Sequence, residues 1–138
     1  MLQPHVFKSF VFENGAAQLR ISGRSMFPFF KEGQNVLVTP LDRSLRAGRI
    51  YAYIKNNTMV GHRLVRVKND RAVFLGDGNN RSETVDINSI IGECIVEYSK
   101  MKQLFVAIVN FIFINLPVKG MATGRRCLLW YLFRKDMV

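Results

Sequence analysis

A serine hydroxyl becomes a useful nucleophile near neutral pH only when a neighbouring base takes its proton, and imidazole is well matched to that task. The chain offers one serine in irregular surroundings, Ser25 within Ser22-Gly23-Arg24-Ser25-Met26-Phe27-Pro28, and one histidine inside an apolar run, His62 within Gly61-His62-Arg63-Leu64-Val65. A third stretch, Gly76-Asp77-Gly78-Asn79-Asn80, places a carboxylate in a turn sequence. Together they would supply a nucleophile, a general base and an acid that orients the base, which is the logic of a serine–histidine hydrolase. Singly, each has a plainer role: a turn serine, a packed histidine, a turn carboxylate accepting backbone N–H bonds.

The elements that must position these residues read as mostly β. Val6, Phe7, Phe10 and Val11 fall near helical spacing, so a short amphipathic helix is expected from Val6 to Glu13, closed by the Asn14-Gly15 turn. A strand from Ala17 to Ile21 then delivers the Ser25 loop, in which Gly23 and Pro28 break regular structure. Strands are expected at Asn35–Thr39, Arg49–Lys55, Met59–Lys68, Ala72–Leu75 and Gly92–Tyr98. Asn56-Asn57 and Asn69-Asp70 stand where tight hairpin turns belong, because Asn and Asp tolerate positive φ. Alternation in Met59–Lys68 sends His62, Leu64 and Arg66 to one face and Gly61, Arg63, Val65 and Val67 to the other.

Composition narrows the classes. The 138 residues are enough for one domain, and 49% hydrophobic residues are enough for a real core. A formal charge of +10 favours contact with something anionic, a membrane surface or a nucleic acid. Cys94 and Cys127 fit neither a disulfide framework nor a zinc site, and two buried thiols are expected, with no metal or cofactor. Residues 1–20 lack the continuous apolar core of a signal peptide, so no cleavable export signal is expected.

After Ser99 the composition changes. Leu104 to Leu116 is a 13-residue apolar run interrupted by two asparagines, short of the roughly 20 residues a spanning helix needs. Arg125 to Lys135 mixes cations with Leu128, Leu129, Trp130 and Phe133, as interfacial helices do. The chain therefore divides into a lead-in, 1–20, a β domain, 21–99, and an apolar and basic helical appendage, 100–138. Membrane association through that appendage is expected. If it is core instead, the protein is cytoplasmic.

Order and spacing add what single motifs lack. Gly-x-Ser-Met-x-Pro at Gly23–Pro28, Gly33 and Gly48 before strands, His62-Arg63, Gly76-Asp77-Gly78-Asn79 and Ile91-Gly92 together resemble the type I signal peptidase family over Ile21 to Val96. The likeness is to the branch with a histidine base, found in archaeal, endoplasmic-reticulum and sporulating-bacterial members. Bacterial-type members and the related self-cleaving repressor peptidases would have lysine at the position of His62. The resemblance implies a small, strongly bent β-barrel or sandwich that cleaves leader segments from precursor peptides or proteins, with Ser25 as nucleophile and His62 as general base. It implies Asp77 as the orienting acid. A further acid lies downstream in the family, where Glu83 or Asp86 could stand, Asp86 being preferred after Asp77. Ser22, Gly23, Met26 and Pro28 would form the oxyanion and substrate loop, Gly23 replacing a small polar donor so that the Ser25 N–H carries more of the oxyanion. Two carboxylates common in the family are replaced by Gln34 and Arg49, and the family's N-terminal anchor has no counterpart, which leaves the C-terminal segment to replace it.

Two rivals belong to other classes. A catalytically idle relative would bind peptides or a partner through the same groove. A basic nucleic-acid-binding β-barrel is suggested by Arg63, Arg66, Lys68 and Arg71 on one hairpin, but no stacking aromatics lie among them, and no nucleic-acid partner is expected.

Overall fold

The computed structural model describes residues 3–27, 29–41, 44–79, 81–96 and 100–115, together with Arg125, Cys127 and Leu128. Helix α1, Pro4–Asn14, begins with proline in its first turn, where a missing N–H costs nothing, and ends on Gly15 at φ 75°. Phe7 and Val11, one turn apart, are its buried contacts with the sheet.

Seven strands follow: β1 Ala17–Arg20, β2 Asn35–Pro40, β3 Ile50–Lys55, β4 Thr58–Lys68, β5 Arg71–Leu75, β6 Ser82–Asp86 and β7 Ile90–Cys94. They form a single sheet in the order β1-β2-β7-β3-β4-β5-β6, antiparallel throughout, curled into a half-barrel. The expected mainly-β class is what the chain adopts. Asn56, Asn57, Asn69 and Asp70 all have positive φ, so both expected hairpin turns form on the residues that tolerate them.

Two elements depart from expectation. Ser82–Asp86 was not read as a strand, because at this sheet edge only Val85 is buried and alternation has no apolar partner residues to show. The last strand starts two residues before Gly92 and ends at Cys94. It starts early because a 3₁₀ turn, Ile87–Ser89, reverses the chain, capped by Asp86, whose carboxylate accepts the Asn88 N–H at 2.8 Å. Tyr98 lies outside the described residues.

Register decides which side chains share a face. Tyr51 pairs with His62 and Tyr53 with Val60, while Leu64 pairs with Phe74 and Phe74 with Glu83. One face of the meander therefore carries Tyr51, Tyr53, His62, Leu64, Phe74 and Glu83. Much of it is a buried cluster in which the Tyr53 ring stacks on Phe74 at 4.5 Å. Arg66 leaves the expected alternation because a bulge between Leu64 and Arg66 inserts Val65 into the ladder. A second core joins Phe7 and Val11 of α1 to Met26, Phe30, Val38 and Ile91.

Helix α2, Lys100–Asn115, is not a free appendage. Val106 packs with Phe29 and Val96, and both Val106 and Asn110 are buried. The opposite stripe, Met101, Leu104, Phe105, Ile108, Phe111 and Ile112, is exposed. Among the described residues no helix is long and apolar enough to cross a membrane. Cys94 is buried as expected, but Cys127 is exposed.

Candidate active site

Ser25 stands in a loop whose neck is closed by the β1–β2 ladder, with the Ile21 N–H donating to the Gln34 carbonyl at 2.8 Å and the Gly33 N–H returning to the Ile21 carbonyl at 2.9 Å. Inside this ring the chain turns tightly, Phe27 N–H to Arg24 carbonyl at 3.1 Å and Phe30 N–H to Met26 carbonyl at 3.0 Å. Met26 is buried in the core beneath, so it anchors the loop rather than lining a cleft. Ser22 is exposed, Gly23 sits at φ +85° and Ser25 is half-buried. Pro28 lies outside the described residues.

The loop is held against the turn that follows β5. The Gly78 N–H donates to the Ser25 carbonyl at 2.7 Å. A Cβ on Gly76 would meet that same oxygen at 2.6 Å, and one on Gly78 would meet the Arg24 carbonyl at 2.7 Å. Both glycines are there because two backbones pass too closely for any side chain. The sequence offers a catalytic role in this turn only for Asp77, yet its glycines are the part that touches the peptide of Ser25.

Asp77 is fully buried, and its carboxylate bonds run to Arg63, Nε to Oδ1 at 3.0 Å and Nη2 to Oδ2 at 2.8 Å, and to the Asn110 amide at 2.8 Å. Arg63 also donates to the Gly48 carbonyl at 2.6 Å, and its guanidinium lies 4.6 Å from the Phe29 ring centre. Instead of orienting the imidazole, as expected, Asp77 accepts a bidentate ion pair, since the next residue along β4 presents the better partner on the opposite face. Asp77 reaches His62 only through space. Asp86, the second expected acid, caps the 3₁₀ turn. Because Arg63 is buried in this pair, it is also removed from any basic surface on the β4–β5 hairpin.

Among the described residues the acid paired with the imidazole is Glu83. His62 is 3% exposed; its Nδ1 lies 2.9 Å from the Tyr53 hydroxyl and 3.8 Å from Glu83 Oε2. The Tyr53 hydroxyl donates to Glu83 Oε2 at 2.7 Å, and Lys55 Nζ pairs with Glu83 Oε1 at 2.9 Å. Among the described residues the other ring nitrogen, Nε2, is buried with no hydrogen-bond partner, so the Ser25 hydroxyl does not engage it in this state. Burial depresses the His62 pKa below its ordinary value, against the pull of Glu83 and Asp77, which raise it, and with a smaller depression from Lys55. The imidazole is therefore neutral at pH 7. Burial also pushes the Cys94 thiol up to about 12, which leaves it inert as a nucleophile.

Tyr53 was not singled out by sequence. The signal was present in part: the Asn56-Asn57 turn sets the β3–β4 register, which places Tyr51 opposite His62 and Tyr53 diagonal to it. Arg125 was expected at a membrane surface, yet it is buried, donating to Asn110 Oδ1 at 2.6 Å and to the Asn79 carbonyl, with its guanidinium 4.8 Å from the Phe113 ring centre. Among the described residues no cluster of His, Cys, Asp and Glu is arranged to hold a metal ion.

No curated protein matches the chain. A family model described as Peptidase S24-like matches residues 4–96, which takes in α1, all seven strands, the Ser25 loop, His62 and the Asp77 turn. With more than half of its length inside that match, the chain belongs to the Peptidase S24-like family of serine peptidases.

Proposed function

We propose that the protein is a serine endopeptidase that removes leader segments from precursor peptides or proteins, in the manner of the histidine-based signal peptidases. Ser25 is its nucleophile and His62 its general base. The observation that carries this reading is the state of His62: buried, neutral and, among the described residues, with Nε2 unpartnered, on the strand whose next residue, Arg63, anchors the Ser25 loop through Asp77 and Phe29. Catalytic hydrogen bonds often close only when substrate orders the site, so the open Nε2 is compatible with a poised base.

In the proposed reaction Ser25 Oγ bonds to the scissile carbonyl carbon as its proton passes to His62 Nε2, and the oxyanion takes the Ser25 N–H with help from Ser22. The C–N bond then breaks and Nε2 returns the proton to the leaving amine. Water hydrolyses the acyl-enzyme by the same transfers, releasing the new carboxylate and restoring Ser25. The cationic surface and the apolar stripe of α2 support a location on an anionic membrane face, where leader-bearing precursors would be met.

A library of internally quenched peptides tests the reading. The full chain is expected to cleave a subset, Ser25→Ala and His62→Ala to lose cleavage by at least about 10³-fold, and the double variant to be no worse than either, because the two groups act as one unit. Full activity in Ser25→Ala would overturn the assignment.

A further inference from the structure

We infer that Tyr53 and Glu83 are the positioning residues of the proposed base: the Tyr53 hydroxyl, its own proton held by the Glu83 carboxylate, accepts the Nδ1–H of His62 and so fixes the tautomer whose Nε2 is the proton acceptor. The inference rests on reading His62 as the base, and it assigns the orienting acid to Glu83 rather than to Asp77 or Asp86.

The argument follows the protons. A phenol has one hydrogen to give, and an ionised carboxylate can only accept. Partial burial acts to raise the Glu83 pKa, but the bonds from Lys55 and Tyr53, with charge from His62 and Lys55, outweigh it and hold the carboxyl below its ordinary range. Burial, reinforced by Glu83, raises the Tyr53 pKa, so the phenol keeps its proton. At 2.7 Å that proton points at Glu83 Oε2, which leaves a Tyr53 lone pair facing Nδ1 at 2.9 Å. Neutral imidazole carries a single hydrogen, so placing it on Nδ1 strips Nε2.

The arrangement does what a carboxylate bonded directly to histidine does, with a phenol interposed. Once Nε2 takes a proton, Nδ1–H still donates to Tyr53, and the Glu83 charge 3.8 Å away stabilises the imidazolium. The charged groups around His62 are Glu83 and Lys55 from the meander face, Asp77 from the turn after β5 and Arg63 beside it; Glu83 and then Asp77 raise the imidazole pKa, and Lys55 lowers it. Glu83, 3.8 Å from Nδ1, is therefore the carboxylate that acts most strongly on the imidazole. The triad-like order emerges from three strands, β4, β3 and β6, brought into register by the hairpin turns.

The test reads the tautomer directly. In the full chain labelled with ¹⁵N-histidine and carrying His5→Gln, the only remaining histidine is His62, and long-range ¹H–¹⁵N spectra at pH 8 distinguish Nδ1–H from Nε2–H. The expected result is the Nδ1–H form, lost or mixed in Tyr53→Phe, which keeps the ring stack on Phe74 and hence the fold. In Glu83→Gln the titration midpoint of the ring is expected to fall, since the charge that raises it is gone, and with it the acid limb of any peptide-cleavage profile. An Nε2–H form in the His5→Gln background, or Nδ1–H unchanged in Tyr53→Phe, would overturn the inference. An unmoved midpoint in Glu83→Gln would overturn the role given to Glu83. Failure of Ser25→Ala to affect cleavage would instead count against the peptidase reading, whatever the tautomer.

Discussion

Removing one partner of a buried ion pair leaves the other charge without a counterion, whereas replacing both by apolar groups of similar volume is close to neutral. Arg63 and Asp77 have fully buried side chains, so Asp77→Asn is expected to cost roughly 3–5 kcal/mol in urea unfolding, and Arg63→Met with Asp77→Leu much less. Gly78→Ala tests a different residue-scale effect. Its Cβ would press on the Arg24 carbonyl, so urea unfolding is expected to show a cost of about 1–3 kcal/mol, while the Ser25 loop shifts and peptide cleavage by the still-folded protein falls at least tenfold. His62 also carries a pH signature. Its folded pKa is depressed from 6.5, so the unfolded chain binds the proton first. The stability His62 contributes is whole above that value and is lost as pH falls through the folded pKa, and Tm should decline from about pH 6.5 downward, less steeply in His62→Gln. Ser25 and His62 stand out as candidates in the sequence because their local contexts are unusual. Glu83 was named only as one choice for a second acid and Tyr53 not at all, since their link to His62 exists only after β3, β4 and β6 pair.

At the level of elements, α1 and most strands could be read because one face of each is apolar. β6 could not, because an edge strand with one buried residue has no period to detect. The amphipathic character of α2 was hidden for a related reason: its inner face is Val106 and the buried Asn110, while the outer stripe is more apolar than the inner one. A run that looked interrupted by a polar residue in fact uses that residue to bond Asp77. The proposal that the outer stripe meets an anionic membrane predicts that the full chain floats with vesicles of phosphatidylcholine and phosphatidylglycerol. Replacing Ile108 and Phe111 by aspartate should abolish flotation without moving Tm by more than a few degrees, because both side chains are exposed. Flotation unchanged in that variant, or a concentration-dependent dimer that the variant dissolves, would assign the stripe elsewhere.

For the whole molecule, the overall β class and the linear order of motifs were visible in advance, but the neighbours of the last strand were not, since strand order depends on pairings far apart in sequence. In the sheet, that order sets β7 between β1–β2, which frames the Ser25 loop, and the β3–β6 meander, which carries His62. The bridge is also tight: a Cβ on Gly92 would meet the Thr39 carbonyl at 2.1 Å, so Gly92→Ala is expected to part the β2–β7 seam, seen as selective loss of amide protection there. In time rather than in space, the meander closes through hairpins of local contact order, whereas β2 waits for a strand more than fifty residues later. On a ribosome synthesising from the N-terminus, Ser25 and its β1–β2 frame are made early, but the sheet that joins them to the His62 strands is complete only after Cys94 has emerged. The nascent chain therefore carries Ser25, the proposed nucleophile, apart from the completed sheet until β7 has been made.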